Sequence, residues 1–158
     1  MPIIVNKVEI TDDEVYGEMQ HHPANNVDSS RHQAMQTLVI KQLLLQEAIE
    51  KKFVNANVAN YLRDEDIELA IESLLKQEIS VPEADEQTCE RYYQNNLERF
   101  IDITTGKQLA LEAVVPLIRD YLHTRSLQTG ISQYIKVLAG KAKIEGFDMD
   151  RCDNPLVQ

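Results

Sequence analysis

The chain has no tryptophan, five glycines, four histidines, two cysteines, and no apolar run near the roughly eighteen residues that span a bilayer. Each shortage excludes something. Cys89 and Cys152 form no C-x-x-C and no metal-ligand spacing, so neither a zinc site nor a redox motif is indicated, and two free thiols fit a reducing compartment. With so few histidines, no Ser/His/Asp or Cys/His arrangement assembles, and no catalytic residue is assigned. The start, "MPIIVNKVEITDDE", has no basic segment followed by a long apolar one, so a cytoplasmic location without membrane partners is expected.

Basic residues are also in short supply: 16 against 26 acidic ones, a net charge of −10. Nucleic acid is thereby disfavoured as a partner, because phosphate binding relies on Lys and Arg neutralising the backbone. Sparse glycine together with many Leu, Ala, Gln and Glu favours helices, and 158 residues fit one domain with a sizeable core.

Residues 3 to 10, "IIVNKVEI", are β-branched and partly alternate, which predicts a short strand. Thr11 and Glu14 form a capping box for a helix at about 12 to 21, ended by Pro23. His21 and His22 lie at that helix end, where a cation suits the dipole, and they are read as terminal rather than metal-binding residues. Asp28 and Ser29 are the expected caps of a long helix reaching about Lys52. Its stripe of Ala34, Leu38, Leu45, Ala48 and Ile49 is widened by Val39, Ile40, Leu43 and Leu44, which makes it the central element. A helix over 64 to 79 carries Ile67, Ala70, Ile71, Leu74 and Leu75; another, capped by Asp85, carries Cys89, Tyr92, Tyr93 and Leu97. From Leu111 to Ala142 one apolar stripe continues, with a bend expected at Pro116 or Gly130. Residues 143 to 147 predict a second strand. Pairing it with the first would satisfy the backbone groups of both and close the domain.

Between two helical patterns lies "IDITTGKQLA", residues 101 to 110, with no apolar period. "DITTGKQLALE" superficially resembles a calcium loop, but its glycine and terminal Glu112 each fall one place early and Thr104 replaces a carboxylate. "TTGK" lacks the upstream glycine of a phosphate loop. No metal or cofactor is expected. The aromatic set Phe53, Tyr61, Tyr92, Tyr93 and Phe100 is the candidate client-binding surface, with membership of the core as the plainer alternative.

Several stretches together carry a resemblance: "VNKVEIT", "HP" at 22 and 23, "TLVIKQLLLQEA", "LLKQEISVPEADEQTCERYYQNNLERF", and "EAVVPLIRDYL" with the segment from "QYIKVLAGKAKIEGFDMD" to "NPLVQ". They are similar to the helical arms of NifM-type peptidyl-prolyl isomerases, relatives of SurA-like and PrsA-like foldases that contain a parvulin domain. The resemblance implies a mostly α chaperone module with a two-stranded β element joining the two ends: an arm over 1–100, the connector 101–110 where a parvulin domain would be inserted, and a C-terminal part over 111–158. Paired histidines, a "GG" turn and an "FE"-type strand, the parvulin motifs, have no counterpart here. The expected function is therefore non-catalytic binding of an unfolded client polypeptide or one specific partner protein. Residual isomerase activity and service as the assembly factor of one metalloenzyme are the alternatives. Long helices with little local closure also predict a homodimer that exchanges the C-terminal helix.

Overall fold

A computed structural model of the chain describes residues 2–149, the side chains of residues 59 and 60 excepted. The order of elements is β1 (Ile3–Val5), β2 (Val8–Ile10), α1 (Asp12–Met19), α2 (Val27–Glu50), a 3-10 turn (Ala56–Tyr61), α3 (Asp64–Glu78), α4 (Glu86–Asn95), a second 3-10 turn (Leu97–Phe100), α5 (Leu111–Lys141) and β3 (Ile144–Glu145). The fold is mostly helical, with one small three-stranded antiparallel sheet in the order β2-β1-β3.

Two compact units are formed. The first takes the residues up to Ile79 and those from Ile131 onward; the second is Ser80–Gly130.

In the first unit the expected single strand is a hairpin, which corrects the two-stranded β element to three strands. Asn6 and Lys7 take φ of 48° and 74°, the left-handed pair that a two-residue turn requires, so the alternating pattern folds back on itself. Ile3 pairs with Ile10 and Val5 with Val8. On the other side of β1, Ile4 faces Glu145 and Val5 faces Ile144, so the pairing of the two ends of the chain is present. β3 is shorter than the predicted 143 to 147 because Gly146 turns away at φ 83°.

The capping box of α1 forms as read: the Glu14 N–H donates to Thr11 Oγ1 at 3.2 Å, and the Thr11 N–H to Glu14 Oε2 at 2.7 Å. The cap of α2 lies earlier than Asp28 or Ser29. Asn26, in extended backbone, accepts from the Ser29 N–H at 2.7 Å and starts the helix at Val27. Along α2 the buried line is Ala34, Val39, Ile40, Leu43, Leu44 and Ala48, with Leu38, Leu45 and Ile49 only partly covered. The residues read as widening the stripe are its centre, because α1, α3 and β1 all pack on α2. Ala70 and Leu74 of α3, Ile3 and Val5 of β1, and Ile135 and Leu138 of α5 complete this core. Burying a side chain such as Ile40 or Leu44 contributes about 1.5–3 kcal/mol.

The second unit has its own core of Cys89, Tyr93, Val114 and Ile118, with Ala84, Tyr92, Phe100, Leu109, Leu111 and Leu122 against it. Asp85 caps α4 as predicted, accepting from the Thr88 N–H at 2.7 Å. α5 continues through Pro116 and Gly130 as one helix. Pro116 lies near its start and removes only the N–H that would reach the Glu112 carbonyl.

Candidate functional site

The connector is a closed loop. The Leu109 N–H donates to the Phe100 carbonyl at 2.7 Å, and the Asp102 N–H to the Lys107 carbonyl at 2.8 Å, so the two ends of the loop touch. Asp102 Oδ1 accepts from the Thr104 N–H at 2.8 Å, and Gly106 supplies the left-handed residue at φ 70°. Gln108 Nε2 donates to the Leu97 and Phe100 carbonyls and ties the loop to the preceding 3-10 turn.

Above this loop the aromatic residues of the second unit assemble. Tyr93 is buried; its ring stacks on Phe100 with centroids 5.5 Å apart, and its hydroxyl donates to the Leu109 carbonyl at 2.6 Å. Tyr93 is therefore a core residue and a clasp on the connector. Tyr92 is half-buried, lies edge-on to Phe100 at 6.2 Å, and meets Tyr121 of α5 at 5.5 Å. Arg99 Nη1 donates to the Tyr92 hydroxyl at 3.0 Å. Tyr121 is 45% exposed, and Leu117, one helical turn before it, is 67% exposed.

The electrostatics here run against the acidic character of the chain. The Tyr121 phenol is held below its ordinary range by hydrogen bonds to Tyr92 and Arg99, with the Arg125 charge adding to the effect. Arg99 is shifted upward by its hydrogen bond to Tyr92. Two guanidiniums and two phenols thus share one exposed patch.

The sequence-selected aromatics do not form one surface. Tyr92, Tyr93 and Phe100 come together in the second unit, whereas Phe53 and Tyr61 belong to the first. Phe53 packs against the core of its unit, and Tyr61 is 84% exposed at the end of a 3-10 turn. Tyr121, Arg99, Arg125 and Leu117 were not selected from sequence. Tyr121 reads as one more member of the α5 stripe, and the available signal was the Tyr121/Arg125 spacing of four, which sets both on one helix face.

The remaining polar groups give no second centre. His22 Nε2 lies 3.0 Å from Glu18 Oε1 at the end of α1, and the His32 ring lies 5.4 Å from Phe147. Cys89 is buried as a free thiol, while Cys152 lies outside the described residues. Among the described residues no group of three or more His, Cys, Asp or Glu is placed to hold a metal ion. No helix among them is long and apolar enough to cross a membrane.

No family model, curated protein or solved structure matches the chain. The site's own chemistry is left to argue from. It offers aromatic faces, apolar area and hydrogen-bond donors.

Proposed function

We propose that this protein is a non-catalytic, chaperone-like module that holds a segment of a client polypeptide, or of one specific partner protein, on the aromatic face of its second unit. The observation that carries the reading is the Tyr92–Tyr121 pair, set 5.5 Å apart at the surface with Leu117 exposed beside it. Aromatic rings supply large contact area with few rotors to freeze, so such a face gains affinity at low entropic cost.

The architecture supports a helical module of the NifM-type or SurA-like kind. Its two ends meet as β1 and β3, and the connector closes on itself where Leu109 meets Phe100. Chain connections with touching ends are where a whole domain can be inserted or omitted. On this reading the connector stands where the isomerase domain of such relatives would be.

The test is a denatured client diluted into buffer with and without the protein, together with a proline-limited refolding assay. Suppressed aggregation at near-stoichiometric ratio, with the proline-limited phase unchanged, is the expected result. Unchanged aggregation would overturn the proposal, and an accelerated slow phase would assign the isomerase alternative instead.

A further inference from the structure

Two exposed arginines, Arg99 and Arg125, lie beside the tyrosines of the second unit. Ion pairs with carboxylates are formed by His22, Lys41, Lys51, Lys76 and Lys143. Arg99 hydrogen-bonds the Tyr92 and Tyr121 hydroxyls and meets no carboxylate, although acidic residues outnumber basic ones 26 to 16. Arg125, exposed on α5, acts on the same Tyr121 phenol and is equally free of a carboxylate partner. Guanidinium has five donors in a planar fork that matches carboxylate geometry, and both groups are exposed here.

We propose that the Tyr92–Tyr121–Arg99–Arg125 patch captures acidic segments of polypeptide, in which a Glu or Asp side chain meets the guanidiniums and a neighbouring large apolar side chain lies on Tyr121 and Leu117. This rests on the polypeptide-binding reading above and adds the class of segment. The complementarity is specific to this patch. The acidic excess of the chain disfavours such a segment on its acidic faces, which favours this patch, where positive charge and exposed rings coincide. A single-stranded nucleic acid would also stack on tyrosines beside arginine, but the net charge of −10 opposes a phosphate backbone over any longer footprint.

The experiment is fluorescence anisotropy of the full chain with three labelled peptides of one length, in which leucines alternate with Glu, with Gln or with Lys. An oligothymidine probe and the aggregation assay are run in parallel. The Glu peptide should bind about five- to tenfold tighter than the Gln peptide and more tightly still than the Lys peptide. Arg99→Gln and Arg125→Gln should each remove most of that preference while leaving the Gln peptide unaffected. Tyr121→Ala should weaken both the Glu and Gln peptides. Arg125 is exposed on α5 and outside both cores, so the test survives if another variant fails to fold. Equal binding of the Glu and Gln peptides, tighter binding of oligothymidine, or a preference that persists in both arginine variants would each overturn the proposal. If the peptides show no preference while aggregation is still suppressed, the acidic specificity fails alone. If no peptide binds and aggregation is unchanged, the holdase reading falls with it.

Discussion

Asn6 and Lys143, 137 positions apart, exchange two hydrogen bonds: the Asn6 N–H donates to the Lys143 carbonyl at 2.9 Å, and the Lys143 N–H to Asn6 Oδ1 at 2.8 Å. Asn6 Nδ2 also donates to Gln46 of α2 at 2.9 Å. One side chain at the tip of the first hairpin thus fixes the approach of the last strand and the orientation of the central helix. Gln46 in turn donates to the Val5 carbonyl at 3.0 Å, so α2 is tied to β1 as well.

Replacing Asn6 removes its two side-chain bonds, with the Lys143 N–H and Gln46, and the residue type that best tolerates φ of 48° after glycine. Asn6→Ala should lower stability by about 2 kcal/mol in urea titration. The Lys143 amide should lose protection in hydrogen exchange before the α2 amides do. Lys7→Gly, at φ 74° with no side-chain bond to lose, should raise stability by up to about 1 kcal/mol.

Gly146 is the stricter position. At φ 83° a β-carbon would come within 2.7 Å of the Pro2 carbonyl oxygen, and backbone on that side cannot yield as a flexible side chain would. Gly146→Ala should cost about 2 kcal/mol or more. Loss of the β1–β3 pairing should be read as a lowered melting temperature with helical circular dichroism retained.

Tyr134 predicts the behaviour at high pH. Its hydroxyl is buried without a hydrogen-bond partner, and burial first, then the charges of Glu47 and Glu78, push the phenol from 10.0 up to about 12. Between those values the unfolded chain releases this proton and the folded one keeps it. The unfolded state then binds fewer protons, and stability falls as pH rises through the interval. Ultraviolet titration should show one phenol ionising late, and only on unfolding. Tyr134→Phe should remove that component, flatten the alkaline loss, and be neutral or stabilising by up to about 1 kcal/mol at pH 7.

The connector gives a paired prediction. Tyr93→Phe removes the 2.6 Å bond to the Leu109 carbonyl and should cost about 1 kcal/mol. A flexible Gly/Ser segment inserted after Thr105, at the exposed tip of the loop, should cost no more, because loop-closure entropy grows slowly with length. Both are measured by thermal melting. A loss of several kcal/mol on insertion would show that the tip carries structure beyond its own hydrogen bonds.

Much of the fold was legible because its signals are local. The Thr11–Glu14 box, the Asp85 cap and the 3.6-residue period of α3 act within one or two turns, so residues near each other in sequence suffice to state them. The hairpin was missed because "VNKV" lacks a glycine, and Lys7 adopts a left-handed conformation that its residue type does not advertise. The candidate site was half legible for a related reason. Tyr92 and Phe100 lie on one short stretch, but the partners that make them a surface, Tyr121 and Arg125, come from a helix beginning after the connector.

By itself, then, the amino-acid order determined helix positions, most caps, the connector and the meeting of the two chain ends, since periodicity, capping chemistry and unsatisfied strand backbone are properties of short segments. Only the tertiary structure decided which tyrosine is core and which is surface. Tyr92 and Tyr93 are neighbours of identical composition on α4, and it is the packing of Phe100, Leu109 and α5 around them that buries one ring and leaves the other half-exposed, hydrogen-bonded to Arg99.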